Sequence, residues 1–191
     1  GRIVFDQHMG WPLDPSAHWS VDSTSRMAFR GAQRIEFRSG FSCPPLDSLI
    51  LDGVEVALAG GIRLEVYQSH LLAQGAGFNS MDSSFLHEGL HLMGQPVHMA
   101  NCSFRNGELG LSNNCTPGNG HFNILNCRFA QNETGMRVRD ASRLMIRNCV
   151  AENNQVAYLI EDLQGVATLR GGSTSNNQQY GLKVNGQQSA V

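Results

Sequence analysis

The sequence predicts an all-β solenoid in which short parallel strands stack coil upon coil. Three observations carry this reading. Segments repeat with a step near 23 residues, each unit alternates short period-2 strands with Gly/Asn turns, and no unit holds ten or more residues at helical spacing.

The repeat is plainest in the second half of the chain. VHMANCSFRNGELGL, FNILNCRFAQNETGMRV, LMIRNCVAENNQVAYLI and ATLRGGSTSNNQQYGLKV align with Cys102, Cys127, Cys149 and Gly172 in one column, at steps of 25, 22 and 23 residues. Asn101, Asn126, Asn148 and Gly171 precede that column, and Gly107, Asn132, Asn154 and Asn177 follow it by five. The strands GLS, GMRV, AYLI and GLKV then open at Gly110, Gly135, Ala157 and Gly181. Upstream, the same frame places Gly53 and Met81 in the cysteine column, with Gly61 and Gly89 ahead of IRLEV and LHL.

Short strands that cannot close a sheet locally can pair with the same strand of the next coil, ~4.8 Å away. Inward residues then stack on their own kind. Met99, Ile124, Ile146 and Leu169 are expected to form an aliphatic column, Phe104 and Phe129 an aromatic one, and the cysteines a thiol one. Asparagine tolerates left-handed turns, and its amide can bond the next coil's backbone as a ladder. The triplets NCS, NCT and NET are N-x-[ST] sequons of a kind that arises readily in such a repeat, and Asn101 is assigned to the turn ladder.

This style of unit resembles the right-handed parallel β-helix repeats of the pectate-lyase-like superfamily, over about residues 46 to 186. The resemblance implies a right-handed parallel β-helix with coils of about 21–28 residues. It implies no single function, because that superfamily includes polysaccharide lyases and hydrolases, epimerases, phage tailspikes and non-catalytic modules of larger intracellular proteins.

Residues 1–45 show the repeat poorly and are expected to form an irregular lead-in or cap, with the coils running over 46–191 of what reads as a fragment of a longer protein. Trp11 and Trp19, in the loop-like WPLDPSAHW, suit the covering of an exposed solenoid end. The chain has 191 residues, a formal charge of −2 and only 16% charged residues, which argues against a general nucleic-acid binder. No apolar run approaches the roughly 18 residues a membrane helix needs. Five cysteines without a C-x-x-C disfavour a disulfide framework and a structural zinc site; buried free thiols lean toward a reducing, intracellular compartment.

HEGLH, from His87 to His91, matches the H-E-x-x-H signature of zinc proteases. That chemistry needs both histidines on one helical turn. The repeat instead places them across a turn and into a strand, ~13 Å apart if extended at ~3.3 Å per residue. The expectation is no metal and no cofactor.

Polysaccharide chemistry needs carboxylates flanking one bond. The outward column is read as Arg63, His91, Ser112, Arg137, Leu159 and Lys183, and its neighbour as Glu65, Met93, Asn113, Arg139, Glu161 and Asn185. Neither clusters acids on adjacent coils. The ligand site is therefore expected on the basic face formed by Arg63, His91, Arg137, Arg139 and Lys183, with anionic groups as targets. Against this, Arg128 to Arg170 holds six arginines and five acids, a near-balance that points to pairing. Two longer segments, YQSHLLAQGAGFNS and SNNCTPGNGH, are further places for binding loops. The functional expectation is a non-catalytic scaffold or binding module for a protein or glycan partner. The alternatives are a carbohydrate-active enzyme on an acidic polysaccharide and a subunit that stacks end to end.

Overall fold

The computed structural model describes residues 2–5, 26–31, 34–39, 41–43, 48–67, 70–82, 86–93, 96–114 and 120–186. Their regular elements are all strands, every pairing is parallel, and they form three sheets, here A, B and C, of eight, seven and seven strands. Each coil visits C, then A, then B. Gly120–Leu125 in sheet C leads to Arg128–Ala130 in sheet A and Thr134–Arg139 in sheet B, and the chain re-enters sheet C at Ala141–Arg147. The solenoid expected from the repeat is the architecture found.

The turn from C to A uses one left-handed residue. Asn101, Asn126 and Asn148 have φ of 51–56°, a region that asparagine enters at little cost. The Asn101 and Asn126 amides donate to Leu125 and Arg147 of the following coil at 3.0 and 2.9 Å. In sequence the next residue points inward, so Cys102, Cys127 and Cys149 are free and buried in one column. Their thiols donate to carbonyls two residues back, at 3.3–3.4 Å. Cys127 lies between the other two, and contact with both thiols, together with burial, pushes its thiol far above the ordinary range. Gly172 ends the column because a Cβ there would meet the Cys149 carbonyl oxygen at 2.0 Å.

The turn from A to B carries the asparagine ladder. The Asn132 amide N–H donates to Asn154 Oδ1 at 3.0 Å, and Asn154 Nδ2–H donates to the Phe129 carbonyl at 3.1 Å. Asn154 is fully buried, so these bonds remove the cost of an unpaired amide, on the order of 1–3 kcal/mol. Asn132 is likewise buried, which excludes its sequon from glycan attachment in the folded chain. Beside the ladder, Phe78, Phe104 and Phe129 stack with centroids 4.8 and 5.0 Å apart. Ring spacing thus follows coil spacing, and each buried ring contributes about 1.5–3 kcal/mol. Met99, Ile124 and Ile146 form the buried aliphatic column, in register with Leu169.

The register corrects the upstream alignment. The cysteine column continues as Ala76 and Val54, with Gly75 and Gly53 at the left-handed positions, not as Met81 and Gly53. Met81 lies beyond sheet A, where its N–H donates to Leu58. YQSHLLAQGAGFNS is accordingly no insertion loop. It supplies strand His70–Gln74 of sheet C and strand Gly77–Ser80 of sheet A. Gly-Ala does there what Asn-Cys does later, so the alignment by Asn and Cys passed over it. Residues 115–119 of SNNCTPGNGH lie outside the described residues, as do Trp11 and Trp19. Within the stretch read as a lead-in, Arg26–Arg30, Arg34–Phe37 and Phe41–Cys43 add one strand to each sheet, and Arg2–Phe5 pairs with Arg34–Phe37. Gly31, at φ 82°, makes the turn that asparagine makes downstream.

Candidate functional site

The H-E-x-x-H residues do not form a helical site. His87 makes an isolated bridge to Gly107, and His91 sits in strand Gly89–Met93. Gly89 between them has φ 93°, and a Cβ on it would lie 1.8 Å from the Leu109 carbonyl oxygen. The glycine of the motif is therefore demanded by coil stacking. His87 Nε2–H donates to the Arg105 carbonyl at 3.0 Å. His91 Nε2–H donates to the Glu88 carbonyl at 3.0 Å, leaving Nδ1 to accept from the Ser112 hydroxyl at 2.8 Å. Burial lowers both histidines below their ordinary range, since the charged ring loses its hydration.

All five residues expected to bind a ligand stand on sheet B, in strands Arg63–Tyr67, Gly89–Met93, Thr134–Arg139 and Tyr180–Asn185. His91, Ser112, Arg137, Leu159 and Lys183 share one column, as the repeat requires. Arg63 does not. Glu65 occupies its place in that column, and Arg63 stands opposite Gly89, two residues earlier. The neighbouring column is also adjusted: Asn114, not Asn113, pairs with Arg139, and Asn113 aligns with buried Val138. Gly89 aligns with Arg63, not with Gly61, which belongs to the preceding turn, where its N–H donates to Leu86.

The arginines of sheet B have partners. Arg63 Nε meets Glu65 Oε1 at 2.7 Å and its Nη1 meets Glu88 Oε2 at 3.7 Å. Arg137 Nε meets Glu161 Oε2 at 2.6 Å, and Arg139 Nε meets Asp162 Oδ2 at 3.5 Å. Lys183 lies over the Tyr180 ring, 5.2 Å from its centroid. Four cations on this face therefore already hold an acid or a ring, and His91 is bonded on both nitrogens.

The outer face of sheet C is different, and reading the repeat alone missed it. Three outward rows cross it. One runs His121, Arg143 and Val166, with exposed His70 at the same end of an earlier coil; one Ile50, Leu72, His98, Asn123, Met145 and Thr168; one Asp52, Gln74, Ala100, Leu125, Arg147 and Arg170. Asp52 is the single acid in the seven described strands of this sheet. Among the described residues no carboxylate pairs with Arg143, Arg147 or Arg170, and all three are exposed. Shallow hollows run along the face, lined by Leu72, His98, Leu125, Arg143 and Met145. The signal in the sequence was available: HLLAQ, VHMA, GHFNIL, ASRLMIR and VATLR hold no Asp or Glu between them.

A family model described as right handed beta helix region matches residues 53–191. No curated protein and no solved structure matches the chain.

Proposed function

Because the chain belongs to the right-handed β-helix family, we propose that it is a non-catalytic recognition module, a rigid scaffold that presents a flat face to a protein or glycan partner. The fold supports scaffold, recognition and carbohydrate-active roles alike. The state of the outward carboxylates carries the choice among them. Glu65 and Glu161 are each tied to an arginine and stand four coils apart, ~19 Å at ~4.8 Å per coil. Glycoside hydrolysis needs its two carboxyl groups about 5 to 9.5 Å apart.

One observation favours the carbohydrate-active reading. Glu65 and Glu88 approach one another around Arg63, beside His91. Both carboxylates are engaged by that one guanidinium, so an acid would have to leave Arg63 to reach a glycosidic oxygen. Acidic and neutral glycans and peptides, screened together for binding and for new reducing or unsaturated ends, separate the readings. Binding without turnover is expected. Turnover lost in Glu65→Gln or Glu88→Gln would establish an enzyme instead.

A further inference from the structure

Resting on the recognition reading, we propose that the outer face of sheet C, from strand His70–Gln74 to strand Val166–Arg170, docks an acidic polypeptide segment that carries apolar side chains. Charge complementarity favours this occupant. The chain is formally −2 overall, yet these five strands hold Arg143, Arg147, Arg170 and three histidines with no acid. Arg147 and Arg170 stand opposite one another on adjacent coils, and Arg143 follows His121 in the same way. On sheet B comparable arginines are paired with acids of this chain; among the described residues no acid pairs with Arg143, Arg147 or Arg170 of sheet C.

The composition of the face favours a polypeptide. Protein interfaces are enriched in Arg and Met and depleted in Lys, Glu and Asp. Thirteen of the chain's fourteen Lys and Arg residues are arginine, and its one lysine, Lys183, lies on sheet B. The same face presents Leu72, at 41% exposure, with Leu125 and Met145. A planar guanidinium grips a carboxylate with two parallel bonds, and these Leu and Met side chains offer apolar area to aliphatic side chains. A sulfated or phosphorylated polymer has little to bury there. The described strands of this face also present no outward Phe, Tyr or Trp ring on which a nucleobase could stack.

The test uses the whole chain and three fluorescent probes: a peptide alternating Glu and Leu, poly-glutamate, and a sulfated polysaccharide. Anisotropy should show binding of the Glu/Leu peptide, with poly-glutamate at least tenfold weaker. Arg143→Glu with Arg147→Glu should weaken the peptide at least tenfold, whereas Arg137→Ala with Arg139→Ala should change it less than twofold. Leu72→Ser keeps every charge and should weaken it several-fold, which guards against a charge-reversed variant that fails to fold. The proposal is overturned if the Glu/Leu peptide does not bind, if the sheet C substitutions leave its binding unchanged, or if only the sulfated polymer binds. In that last case recognition survives and the partner class fails; turnover of the polymer would remove the recognition reading itself.

Discussion

Sheets B and C are built from the same coils, yet along the later coils they use arginine in opposite ways. On sheet B, Arg63, Arg137 and Arg139 lie within 2.6–3.7 Å of Glu65, Glu88, Glu161 and Asp162. On sheet C, Arg143, Arg147 and Arg170 are exposed, and among the described residues no carboxylate pairs with them. A column of like residues is therefore a poor guide to function on a solenoid. What decides is whether the adjacent column or the next coil answers the charge. The contrast costs the fold little, because both faces rest on the same interior of stacked rings, thiols and amides.

The largest way to break the comparison is to remove that shared interior. Phe104→Ala deletes the middle ring of the stack and should cost about 3–5 kcal/mol in urea unfolding. Both faces should be lost in one transition. Two separate transitions would mean that the faces fold independently.

Cys127→Ser comes next. It places a hydroxyl where a thiol sits between two thiols, and about 1–3 kcal/mol of destabilisation is expected. Native labelling of Cys102, Cys127 and Cys149 should be slow and should become fast in denaturant; rapid native labelling would contradict their buried column.

Acid should also act at strand Gly89–Met93 and the bridge that precedes it. His87 and His91 are held below their ordinary value of 6.5, so the unfolded chain binds more protons than the folded one as pH falls past 6.5. Their contribution is complete above that pH and is lost on the way down to the folded-state values. The melting temperature should stay level from pH 8 to about 7 and drop below about 6.5. In His87→Gln the acid-side slope should be shallower. An unchanged slope would assign the loss to other groups.

The smallest effect sharpens the contrast most finely. Arg137→Ala breaks a half-exposed ion pair and should cost up to about 1 kcal/mol, less at high salt. Arg143→Ala should lie within about 0.5 kcal/mol of the parent. Equal costs would mean that sheet B gains nothing from its pairing.

The fold was legible where the sequence repeats a chemical pair. Asn-Cys at three successive turns announces both the left-handed backbone and the inward position, and Asn132, Asn154 and Asn177 announce the ladder. Upstream, the same geometry is met by Gly53-Val54 and Gly75-Ala76. Glycine satisfies a positive φ without any distinctive neighbour, so the coil through His70–Gln74 was hidden and Arg63 was placed two residues out of line. The candidate site was less legible still. The basic column could be read, but its neutralisation depends on Nε-to-carboxylate distances between coils. The acid-free stretch of sheet C, from His70–Gln74 to Val166–Arg170, was present as an absence of Asp and Glu, spread over five short segments that only the fold brings side by side.

The most direct test of this contrast is a pair of binding isotherms for one acidic, apolar peptide, recorded at low and physiological salt. Arg147→Glu with Arg170→Glu should abolish the salt-sensitive part of binding, while Arg137→Glu with Arg139→Glu should leave the affinity within about twofold and lower only stability. The reverse pattern, with affinity lost on sheet B and retained on sheet C, would contradict the contrast.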